Sequence, residues 1–257
     1  MFSLSEDPSR ITLFEKYAGF PLAEDECPLR LLEWKNNAAC GEHFTTQGAS
    51  ELDSRPDCAL RIIFAPLDLP DNATANSLFY LFDKYSIPSD FISERLQSVA
   101  RSCGSKANPD GSECLWFHFL CKNITIEPNL EKPDHVAIRN PVEKYNTKEQ
   151  SQADFSWIRA AFFLRVEGPK IDIANPNLTN KPTTLLCFGA SEALVQRFSQ
   201  LQNRVEWREA LDDPHVLLDI VLDELYLQLD GIAWNLSEVY GNTERVSRLL
   251  LRCSSSH

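Results

Sequence analysis

The chain has 257 residues, with 37 acidic and 25 basic side chains, a formal charge of -12 and a pI near 4.9. Apolar residues make up 43% and charged residues 24%. That balance excludes wholesale disorder and leaves ample material for a core. The net negative charge argues against non-specific nucleic-acid binding and against adhesion to anionic membranes.

No apolar run approaches the ~18 residues of a membrane helix. The best, Ile158 to Val166, is interrupted by Arg159 and Arg165. The N-terminal MFSLSEDPSR has neither the basic nor the apolar region of a secretory signal. Eight cysteines are scattered without a C-x-x-C pair, and several sit in apolar runs. They read as reduced core thiols of a cytoplasmic protein. Sequons at Asn72, Asn123, Asn177 and Asn235 are then chance matches.

In chain order, residues 1–57 read as an N-terminal helical and loop segment, with short helices at Ser9–Tyr17 and Leu29–Trp34 and turn formers from Gly41 to Pro56. Ala59–Ala65 reads as a buried strand bounded by Pro56 and Pro66. Leu78–Tyr85 has helical spacing, and Pro88 starts a second helix running to Arg101. Gly104–Gly111 reads as a loop. Cys114–Ile126, dense in aromatic and β-branched residues, predicts one or two strands. Glu127–Gln152 reads as a long surface loop. Phe155–Glu167 predicts a long strand, Gly168–Pro182 a loop, Thr183–Phe188 a strand, and 191–211 a helix.

The last segment is the most periodic. Leu218, Leu222, Leu225, Leu229, Ile232, Leu236, Val239, Val246 and Leu250 follow alternating spacings of 4 and 3, a heptad seam interrupted at Thr243. Asp213 and Pro214 supply a cap and first turn. A helix over 214–251 is about 57 Å long, longer than a small domain is wide. Part of it should project or pair with another helix. The segment plan is 1–57, then an α/β domain over 58–211, then the long helix and tail over 212–257. The predicted fold class is α/β (α+β): a mixed β-sheet of four to seven strands flanked by helices, with the long helix at the C-terminus.

Three constellations could carry chemistry. Gly189-Ala190-Ser191-Glu192-Ala193, between a strand and a helix, is similar to the G-x-S-x-G nucleophile elbow, with Ala in the last place. Only His215 and His257 lie downstream to complete a triad, so Ser191 reads better as a helix cap than as a hydrolase nucleophile. His43, His118 and His135 lack the spacing of a zinc site, and His118 between Phe117 and Phe119 reads as a sheet histidine. Asp212, Asp219, Asp223 and Asp230 share one helix face. With Glu206, Glu209, Asp213 and Glu224, the segment 206–230 holds eight acids and one Arg, Arg208. A solvated face accounts for it. Cations such as Mg²⁺, which take carboxylate oxygens, or a basic partner would relieve its repulsion. Asp219, Asp223 and Asp230 are the candidate metal ligands. No P-loop or G-x-G-x-x-G is present, and no enzymatic activity is expected.

The block DPHVLLDIVLDEL from Asp213, continuing YLQLDGIAWNLSEVYGNTERV, resembles the start of the long stalk helix in fungal CorA-like divalent-cation transporters. Upstream, LRIIFA, LFYLFDKYSIPSDFISERLQS and CLWFHFLCK resemble the soluble α/β domain that precedes that stalk, so the likeness spans most of residues 58–248. The resemblance implies a cytosolic sheet flanked by helices, a stalk leading into two membrane helices, and pentameric assembly. The family's Gly-Met-Asn pore signature is absent, because the only methionine is Met1, and both membrane spans are missing. The chain is therefore expected not to cross a bilayer or conduct ions. A soluble derivative and a truncated transporter both fit. The expected role is non-catalytic: cation sensing, with Mg²⁺ the candidate ion, or association through the 214–251 helix with itself or with family-member subunits. A pure interaction module with no metal role is the alternative.

Overall fold

A computed structural model describes residues 29–35, 41–46, 48–66, 80–96, 101–123, 126–128, 136–138, 156–168, 170–171, 179–201 and 205–254. The predicted Ser9–Tyr17 helix lies outside them. The chain divides into two compact units, Met1–Leu120 with Arg159–Val221, and Cys121–Ile158 with Leu222–His257.

The first unit is built on a seven-stranded mixed sheet. Its strands are β1 (Leu29–Trp34), β2 (Glu42–Thr46), β3 (Leu60–Ala65), β4 (Arg101–Ala107), β5 (Glu113–Asn123), β8 (Ser156–Val166) and β11 (Thr183–Phe188). The spatial order is β2-β1-β3-β11-β8-β5-β4. The central pair, β3 and β11, runs parallel with Ile62 opposite Leu185 and Ile63 opposite Leu186. β11 is antiparallel to β8, and β1 is antiparallel to both β2 and β3. LRIIFA and TTLLCF are near-continuous apolar runs because both of their faces are covered.

Successive side chains alternate across the sheet. On one face Leu29, Leu31, Ile63, Phe163, Leu186, Phe188 and Trp116 form a single core with Leu52, Leu81, Phe82, Tyr85, Ile87, Phe91 and Ile92. Those covering residues come from a 3-10 turn (Ala49–Asp53), a helical turn over 80–84, the link that follows it (Tyr85 and Ile87) and helix α1 (Ser89–Leu96). Phe91 is the hub, with ring centroids 5.5 Å from Phe188, 5.8 Å from Phe163 and 4.6 Å from His118. On the other face α2 (Glu192–Leu201) places Phe198 6.1 Å from Phe64, and Trp207 stacks 6.2 Å from Trp34. Burying each such aromatic contributes roughly 2–3 kcal/mol.

One end of the first face is ionic. Glu33 is 3% exposed. Its carboxylate accepts from Arg61 Nε at 2.7 Å and from Arg55 Nη2 at 2.8 Å. The Arg55 guanidinium also lies 3.5 Å over the Phe44 ring. Arg165 on β8, buried as well, donates to the Tyr85 carbonyl at 2.9 Å and to Glu167 at 2.7 Å. The ion pairs tie the 54–58 connector to the sheet, and Arg165 fastens the end of the 80–84 turn.

In the second unit, β6 (Ile126–Pro128) pairs antiparallel with β7 (Val136–Ile138), inside the stretch expected to be loop. The two-residue strands β9 (Lys170–Ile171) and β10 (Thr179–Asn180) likewise pair within the expected Gly168–Pro182 loop. After α2 come a 3-10 turn (Val205–Arg208) and the short helix α3 (Glu209–Asp212), where one helix was expected to continue. The chain ends in α4, a single helix over Val216–Ser254, about 58 Å long at ~1.5 Å per residue.

Three further expectations need correction. Leu29–Trp34 is a strand, because LRLLEW pairs with both β2 and β3. Within Gly41–Pro56, β2 and the 3-10 turn replace simple turns. The first half of the Gly104–Gly111 loop, through Ala107, is strand β4, paired with β5 so that Gly104 faces Trp116, and the expected turn follows over 108–111. A Cβ at Gly104 would lie 2.4 Å from the indole ring, so glycine here serves a cross-strand contact.

Candidate functional site

The surface of α4 is the feature that the packing of the sheet leaves unexplained. The helix begins as its sequence dictates. Asp213 Oδ1 accepts from the His215 backbone N–H at 3.1 Å and lies 3.0 Å from His215 Nδ1. Those bonds to His215 hold the Asp213 carboxyl below its ordinary range. The amides of Val216, Leu217 and Leu218 then bond back to Asp213, Pro214 and His215, so the first turn closes without orphan donors.

The predicted seam divides in two. Leu218 and Leu225 are 7% and 6% exposed, whereas Leu222 is 51% exposed, and Leu229 and Leu236 are also exposed. Tyr226 and Tyr240, at 66% and 68%, join the exposed set. At roughly 100° per residue, Leu222, Tyr226, Leu229, Ala233, Leu236 and Tyr240 fall within about 40° of one line along the helix. Their spacing is 4, 3, 4, 3, 4. It is a second heptad seam, one position over from the inward residues, and it faces outward. Periodicity alone missed the tyrosines. The available signal was that each follows a seam leucine by four residues.

The acidic residues flank that seam. Asp219, Asp223 and Asp230 are all exposed. From Val216 to Glu244 the helix carries no Lys or Arg. The helix spreads the three aspartates rather than gathering them. Asp219 and Asp223 are one turn apart, but Asp230 lies about 10 Å beyond Asp223 along the axis. A magnesium ion holds its oxygens at ~2.1 Å, so one ion cannot take all three from a single helix. Among the described residues, no group of three or more His, Cys, Asp or Glu is placed to hold a metal. Glu224, by contrast, is buried and accepts from Gln228 Nε2 at 3.1 Å.

Ser191 lies between β11 and α2, where an elbow would. The left-handed residue there is Gly189, with φ 68°, rather than the serine. Ser191 Oγ accepts from the Leu194 amide at 3.2 Å, the bond of an N-cap. His118 is buried on β5, as a sheet histidine, and His43 is exposed on β2. His135 lies outside the described residues.

Ser105, Lys106, Glu113, Leu115, Leu164 and His215 are among the residues lining a small cavity of about 170 Å³. Typical ligand pockets begin at ~300 Å³. Of the cysteines described, Cys114 and Cys187 are buried, Cys103 is exposed, and Cys58, Cys103, Cys114, Cys121 and Cys187 are all free thiols. No helix among the described residues is long and apolar enough to cross a membrane.

No protein-family model matches the chain, and no curated protein matches it.

Proposed function

We propose that the chain is a non-catalytic, CorA-like soluble domain that acts by association through α4. The outward seam packs against the same seam of a second copy or of a related subunit. The ancestral context is Mg²⁺ transport, and this chain's part in it is regulatory or structural.

One observation carries the reading: six residues at heptad spacing, Leu222 to Tyr240, stand exposed on a continuous helix. An exposed apolar stripe with that spacing fits another helix by knobs into holes. Its length is about 27 Å. The mixed sheet flanked by helices and followed by a long helix supports the family likeness. The flanks favour one orientation. Asp223 and Asp230 lie on one side of the seam, and the part-exposed Ile232 and Val239 on the other. An antiparallel pair brings the two acidic flanks together; a parallel pair sets each acidic flank against an apolar one. Parallel association is therefore preferred.

Oxidative cross-linking of Leu236→Cys tests this arrangement. In a parallel pair residue 236 meets its own copy, so a covalent dimer linked through position 236 forms, which peptide mass spectrometry separates from any dimer linked through the exposed Cys103. Absence of that dimer at a concentration where the chain associates overturns the parallel seam.

Cation sensing through Asp219, Asp223 and Asp230 is the finer reading, supported by three exposed aspartates on one face of a helix whose sequence carries no Lys or Arg between Val216 and Glu244. A ligand of the native state raises its melting temperature. Sensing predicts a rise in Tm at millimolar Mg²⁺ that Asp219→Ala and Asp223→Ala diminish. No rise, with the variants melting like the parent, leaves a pure interaction module.

A further inference from the structure

We draw no further inference here: the strongest candidate, the exposed pair Leu227 and Trp234 on the side of α4 away from the Leu222–Tyr240 seam, is an apolar patch, and nothing in the structure shows what covers it.

Discussion

Glu33 on β1 and Arg61 on β3 are direct cross-strand partners, and their side chains meet at 2.7 Å with almost no solvent on the carboxylate. Arg55 completes the arrangement from the connector before β3. The cost of desolvating a buried carboxylate and its two guanidinium partners offsets much of their mutual attraction. Removing one member leaves an uncompensated buried charge. Glu33→Ala is expected to destabilise by about 3–5 kcal/mol in urea unfolding. Glu33→Gln, which retains an acceptor, is expected to cost less. Equal and negligible losses for both variants contradict the buried pairing.

Gly104 and Trp116 make a tighter test of the sheet. Gly104→Ala places a methyl into the indole ring of its cross-strand neighbour. The expected loss is about 1–3 kcal/mol, as for overpacking elsewhere. Trp116→Leu combined with Gly104→Ala should recover part of it, since the two sites share one space. A fully additive double variant, measured by thermal melting, argues against the β4–β5 register.

The thiols should separate by environment. Burial pushes the Cys58 thiol up to about 11 and raises Cys187 further. Cys103 is exposed on an edge strand. In the folded protein at pH 8, iodoacetamide should label Cys103 and leave Cys58 and Cys187 unmodified until denaturant is added. Peptide mass spectrometry reads the result directly. Labelling of Cys187 without unfolding contradicts its burial on the central strand β11.

Acid sensitivity follows from three carboxylates. Asp53 is held low by Lys84, Asp110 by the Ser112 hydroxyl and amide, and Asp213 by His215. Each has a folded-state value below the ordinary 3.8. The unfolded chain therefore takes up these protons first as pH falls. The stability they supply is fully present above that range and is lost as pH drops through the folded values. Asp110→Asn should flatten the acid limb of a stability–pH curve and leave the curve's shape at neutral pH unchanged. An unchanged acid limb rejects the Asp110–Ser112 bond as its source.

Much of the fold could be read from the chain because its strongest signals are local. LRIIFA and TTLLCF are long apolar runs that only a covered central strand accommodates, and the terminal helix declares itself by a repeat sustained over many turns. The misreadings share a different cause. LRLLEW suits a short helix or a strand equally well, and only pairing with β2 and β3 decides between them. The glycine in RSCGSKA suggests a loop until Trp116 is seen to need its space. The surface of α4 was legible in part. Spacing identified the apolar residues, but which of them face outward depends on burial: it turned Leu225 inward, left Leu222 exposed, and set Tyr226 and Tyr240 beside it. For the acidic residues, helical spacing marked Asp219, Asp223 and Asp230 as sharing one face, and the rise of the helix separates them along its axis.

The central claim is that the outward seam of α4 associates, and solution mass is its most direct measure. Sedimentation equilibrium of the chain should give a concentration-dependent mass at a multiple of 29.2 kDa. Leu229→Asp puts a charge in the middle of the seam, at a loss of about 2 kcal/mol or more and a weakening of more than tenfold. That variant should sediment as a monomer while melting cooperatively, since Leu229 is exposed in the isolated chain. A parent chain that stays monomeric at high micromolar concentration, or a Leu229→Asp variant that associates as the parent does, contradicts the account.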